Sequence, residues 1–183
     1  MSQMESARTS SSYLPRLFEI QPLERAMHDL LPSSVDVDAL AVAEELAVGL
    51  APELQAAIWL YVDDLDRSHT ISQGIPGPIG AYWHGIMHRR EGDFSNAKYW
   101  FRQAQPLWTA GPDGSAALRS RMGATLVAPG AIGVARSDEW DPCRFVDQVE
   151  AARGANPEEL VQMQRKEWMA LFNYCAERAG VSK

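Results

Sequence analysis

Apolar positions recur along most of this chain at intervals of three and four residues, the period of a helix that buries one face. Pro52 opens one such run, "PELQAAIWLYVDDLDRSHTIS", and proline is tolerated in a first helical turn. Its stripe passes through Leu54, Ile58, Tyr61 and Leu65 to His69. The pattern predicts one long helix over 52–72 with that histidine turned inward. "QPLERAMHDLL" predicts a short helix from Pro22 to about Leu31, stopped by Pro32. "SSVDVDALAVAEELAVGL" has a helix-forming Ala/Leu/Val body with Ser34 or Asp36 as its N-cap. Further on, Asp141 caps a helix with Pro142 behind it that runs to Gly154. Asn156-Pro157-Glu158-Glu159 then joins a cap, a first-turn proline and acid charge against the helix dipole. The last helix that follows carries Val161, Trp168, Leu171, Phe172 and Cys175 on one side and ends near Gly180.

Two segments break this period. "QGIPGPIGA", 73–81, is a Pro/Gly connector. The stretch 109–138 holds five glycines and two prolines, with one short helical run around Ala116 to Met122 and one piece, "ATLVAPGAIGVA", that could extend. It reads as a lid or as a linker. Nowhere is there the sustained alternation of a strand. The fold class is therefore all-α, a compact helical domain over 14–183 behind a polar, Ser-rich tail over 1–13 that is expected to fray.

Composition narrows the function classes. A chain of 183 residues, 46% hydrophobic and 22% charged, suits one soluble globular domain. A formal net charge of -7 argues against a nucleic-acid surface, which needs a basic face to replace phosphate counterions. No stretch approaches the roughly 18 apolar residues of a membrane span, and the polar start lacks the apolar core of a secretory signal. Cys143 and Cys175 are too few for a disulfide framework, which favours a reducing cytoplasm. The 6 tryptophans make a homodimer an open expectation.

Candidate chemistry concentrates in "AYWHGIMHRREGDFSNAKYWF", 81–101. "AYWHGIMHRRE" reads as a helix, "GD" as a tight turn and "FSNAKYWFRQA" as a second helix, so the whole is an αα-hairpin. It resembles one tetratricopeptide-repeat hairpin. Gly85 stands where that repeat needs a small residue, Gly92-Asp93-Phe94 matches its turn and following aromatic, and Ala97, Phe101 and Ala104 match apolar positions of its second helix. The likeness covers a single repeat, and a solenoid needs about three, so it implies a TPR-like hairpin and not a repeat array. Taken with "WDPCRFVDQVE" and "EWMALFNYC", the stretch also resembles a family of uncharacterised microbial proteins, a likeness that carries no chemistry.

The departures from the repeat point to a site. His84 and His88 take inward positions that the repeat gives to apolar groups, and their four-residue spacing puts both on one helix face. Glu91 extends that face by a turn. The helix over 52–72 adds Asp63, Asp64, Asp66 and His69, with Asp66 and His69 three apart. Inward histidines and carboxylates need partners or a ligand.

One reading is a divalent metal ion held by His69, His84, His88 and Asp66, or Glu91 in its place, with a position open for substrate. HxxxH alone is weak support, and Gly85 stands where a metalloprotease has its glutamate. A second reading needs no metal: His69, His84, His88 and Glu91 act as catalytic acid/base groups, Tyr82, Trp83, Tyr99 and Trp100 line an aromatic slot for a small molecule, and Arg89, Arg90 or Lys98 holds an anionic group. In a third, the histidines only hydrogen-bond to a neighbouring helix, the charges are solvated and the hairpin is a non-catalytic interaction module. "DDLD" lacks the chain length of the metal-diphosphate enzymes it looks like, His28 reads as a surface residue, and no nucleophile elbow, Walker loop or dinucleotide fingerprint is present.

Overall fold

The structure is a computed structural model that describes residues 13–108 and 140–180. Its described residues form helices joined by turns, and no strand occurs among them. In chain order the helices are α1 (Tyr13–Ile20), α2 (Val37–Ala47), α3 (Pro52–Tyr61), α4 (Leu65–Ser72), α5 (Gly77–Glu91), α6 (Phe94–Gln103), the short α7 (Gln105–Trp108), α8 (Pro142–Ala152) and α9 (Glu158–Arg178). None is long and apolar enough to cross a membrane. The expected lid or linker at 109–138, with its short helical run and extended piece, lies outside the described residues, as does most of the tail at 1–13.

Helix α5 is the axis of the arrangement. Every residue from Gly80 to Arg90 is buried, the state expected of a helix enclosed on all sides. It packs on α3, α4, α6 and α7, and its side chains meet α9 through Glu167. Its end is set by Gly92, which takes a left-handed φ of 90° as the helix C-cap. Asp93 then caps α6, accepting from the backbone N–H of Asn96 at 3.2 Å. This two-residue turn folds α6 back along α5, closely enough that a Cβ on Gly85 would lie 2.9 Å from the Phe101 ring. The α6 flank is closed by α8, to which Lys98 is tied through Asp147.

The connector expected over 73–81 is helical from Gly77 on, as the start of α5; two expected helices also come out differently, and both of those changes trace to buried side chains. The helix expected over 52–72 is two helices, α3 and α4, broken where Asp63 adopts a φ of 62°. Asp64 caps α4, accepting from Arg67 N–H at 3.1 Å. Arg90 takes the place of helical continuity: its guanidinium donates to Leu60 O at 2.7 Å and to the Asp63 carboxylate at 2.6 Å. Residues 22–31, expected as helix, form turns. Carbonyls there are claimed by side chains from α9, Arg165 donating to Ala26 O at 2.9 Å and Gln164 to Met27 O at 3.1 Å. The chain also turns at Met27, whose φ of 50° lies outside the helical region. Asn156 is likewise no helix cap. It binds Leu30 N–H at 2.9 Å and Asp29 at 2.6 Å, and α9 starts after Pro157 without a side-chain cap.

Of the remaining expectations, Asp36 is the cap of α2 and Asp141 that of α8. Val161, Trp168, Leu171, Phe172 and Cys175 are all buried on α9. They share that face with Gln164, Arg165 and Glu167, which are buried too.

Candidate metal centre

Three imidazoles converge between α4 and α5. The helix period places His84 and His88 one turn apart on α5, and the break at Asp63 sets α4 so that His69 faces them. One ring nitrogen from each of His69, His84 and His88 lies within 4.8 Å of the other two. The ring centroids of His69 stand 4.7 Å from His84 and 5.2 Å from His88, and those of His84 and His88 are 4.8 Å apart in a stacked pair. Donor nitrogens around a tetrahedral zinc ion, with bonds of about 2.0–2.1 Å, stand roughly 3.4 Å apart. Closing the set around an ion would bring these nitrogens nearer to one another and turn the stacked rings of His84 and His88 so that their in-plane lone pairs converge.

His84 is the central member. It is 4% exposed, and neither ring nitrogen has a hydrogen-bond partner among the described residues. Trp100 of α6 stacks on its ring at 4.1 Å and an interplanar angle of 19°. Burial, then the neighbouring His88 and His69, lowers its pKa from the ordinary 6.5 to about 4. The ring is neutral at physiological pH and carries a free lone pair, the form in which imidazole binds a metal. A buried polar group without a partner costs about 1–3 kcal/mol, so the fold holds this ring at a net expense.

His88 differs because its ring has partners. Its Nδ1 lies 3.0 Å from a carboxylate oxygen of Glu91, and its Nε2 lies 3.1 Å from Nδ2 of Asn96 on α6. Burial lowers its pKa, against the opposing pull of Glu91. A carboxylate can only accept, so the ring places its hydrogen on Nδ1 and donates it to Glu91. Nε2 then holds the lone pair and accepts from the Asn96 amide. Asn96 was not singled out by sequence, yet it is where a hairpin would put it: His88 and Asn96 each stand four residues from Gly92, and His84 and Trp100 eight.

The other expected site residues are distributed as follows. Asp66 is exposed in the first turn of α4 and is not a member of the imidazole group. Arg89 and Arg90, expected as anchors for an anion, are fully buried and engaged within the fold. Arg89 donates to Glu167 at 2.5 Å and lies over the Phe145 ring at 4.3 Å, while Arg90 holds the break between α3 and α4. Tyr82 and Trp83 are fully buried as well, and Tyr82 donates to Glu167 at 3.1 Å and accepts from Trp140 at 2.8 Å. Lys98 is paired with Asp147, and Tyr99 is half exposed on α6, in edge contact with Trp100. Of the expected aromatic slot, Trp100 alone touches the cluster. His28 is exposed. Cys143 and Cys175 are free thiols whose pKa values burial raises, that of Cys175 to about 12, so neither is poised as a thiolate.

Comparison of the chain with family models, with curated proteins and with solved structures gives no match.

Proposed function

We propose that this protein is a small-molecule enzyme that works through a divalent metal ion held by His69, His84 and His88. The observation that carries the reading is His84, a buried neutral imidazole with no hydrogen-bond partner among the described residues, facing two more imidazoles whose donor atoms lie within 4.8 Å. Three neutral ligands would leave the ion its full charge and a fourth position open, the arrangement that polarises a carbonyl or lowers the pKa of a bound water toward neutrality. Trp100, stacked on His84, would wall one side of the site. The two free cysteines support a reducing, cytoplasmic setting.

The test is elemental analysis of untagged protein purified without chelator, alongside a His84→Ala/His88→Ala double variant. Near-stoichiometric metal in the native protein, lost from a variant with unchanged circular dichroism, is the expected result. Absence of metal from both would remove the metal reading and leave acid/base use of the same imidazoles. A second reading, a non-catalytic interaction module built on a TPR-like hairpin, is favoured by the approach of Gly85 to Phe101. It is separated by the same experiment, since it assigns the histidines no ligand.

A further inference from the structure

We infer that Glu91 and Asn96 are the outer shell of this centre: Glu91 is a positioning residue that aims the Nε2 lone pair of His88 at the ion, and Asn96 is the donor that the ion must displace. The inference rests on the metal reading above.

Glu91 is the last residue of α5, where exposed carbonyls make the field negative. A carboxylate there is disfavoured by the helix dipole, and two arginines precede it that suit the position. Its side chain is 54% exposed, so burial does not hold it in place. What it does hold is the Nδ1–H of His88, at 3.0 Å. A carboxylate accepting from the far nitrogen of a ligating histidine fixes the tautomer and the ring orientation, and makes the metal-facing nitrogen more basic. Glu91 thus breaks a local helix rule where a metal ligand would gain from it.

Asn96 stands on the opposite side of the same ring. Its amide donates to Nε2 at 3.1 Å, which is the lone pair a metal would use. Without an ion this bond satisfies a buried nitrogen of His88. With an ion this hydrogen bond must open, and the Asn96 amide loses the acceptor it holds. Among the described residues His84 has no such placeholder, so of these two histidines one offers its nitrogen ready and the other guarded.

Cobalt(II) is the probe, because its visible d–d bands report coordination number as well as occupancy. The chelator-treated protein is titrated with Co²⁺ as wild type, Glu91→Gln and Asn96→Ala, with circular dichroism confirming the fold of each. Wild-type binding is the control for the underlying reading, and its failure removes that reading before the outer shell is in question. Given wild-type binding, Glu91→Gln is expected to weaken affinity about 10- to 100-fold and to alter the band shape. Asn96→Ala is expected to tighten it about fivefold, the equivalent of one net hydrogen bond of about 1 kcal/mol no longer broken on binding. Affinity and spectrum unchanged in Glu91→Gln would overturn the role of Glu91. Unchanged or weaker binding in Asn96→Ala would overturn displacement.

Discussion

The substitution Glu167→Gln tests how the fold holds α5 in register with α9. Glu167 and Arg89 are both fully buried, joined by a 2.5 Å hydrogen bond, and the carboxylate also accepts from Tyr82. Tyr82 accepts in turn from Trp140, so one anion on α9 organises a chain of donors from α5 and from Trp140, two residues before α8. Burial, then the charge of Glu167, raises the Tyr82 pKa well above its ordinary value, so the phenol remains a donor. The Arg89 Nη1 and Nε atoms have no partner among the described residues, and the rings of Phe101 and Phe145 lie near the guanidinium. Removing the anion therefore leaves a buried cation uncompensated, a change that costs about 3–5 kcal/mol in proteins. With a urea m-value of about 2 kcal/mol per molar, the midpoint should fall by roughly 1.5–2.5 M. The check is a double-mutant cycle with Arg89→Met and Glu167→Met, followed by circular dichroism. Paired replacement by apolar groups should cost far less than either single change, giving a coupling of about 2 kcal/mol or more. A Glu167→Gln loss under about 1 kcal/mol, or single effects that simply add, would refute the assignment of this pair as the tie between the helices.

Three further outcomes follow from the same structure. The metal-free protein should lose stability in acid through His84: its folded pKa of about 4 lies below the ordinary 6.5, so the unfolded chain binds the extra proton, and the stabilisation is full above pH 6.5 and is lost as pH falls toward 4. At about 1.4 kcal/mol per pKa unit the difference is about 3 kcal/mol, measurable as a urea midpoint that falls across this window in wild type and much less in His84→Ala. Gly85→Ala places a methyl 2.9 Å from the Phe101 ring. It should destabilise by about 1–3 kcal/mol despite the better helix propensity of alanine, and a thermal melt that rises instead would show that the ring yields freely. Asn156→Ala removes acceptor and donor from Leu30 N–H and Asp29. A loss of about 1–3 kcal/mol is expected, and hydrogen exchange should reveal the Leu30 amide as the first to lose protection.

What sequence could reveal here depended on whether a group's partner was local. Caps and periods are local, so α2, α8, α9 and the α5–α6 hairpin could be read, and so could the shared face of His84 and His88. His69 was placed inward by a helix stripe that the structure breaks at Asp63, yet it still reaches the imidazoles because α4 packs on α5. The direction came through although the element did not. The arginines show the opposite case. Beside the histidines they looked like anchors for an anion, but their acceptors are Glu167 on α9 and the Leu60 carbonyl and Asp63 at the helix break. No spacing within 81–101 reports those partners. A signal did exist on α9, where Gln164 and Arg165 fall in the same stripe as Val161 and Trp168, and a polar residue on a buried stripe must find a partner somewhere. Asn96 was accessible by the same logic, since reflection through Gly92 pairs it with His88. Once the arginines are removed to the fold, the site brings together three imidazoles, the Asn96 amide and the exposed Glu91 carboxylate, with Asp93 near enough to act on His88. A set so short of carboxylates is a poor match for magnesium or calcium, which take oxygen ligands, and a good one for a borderline transition ion.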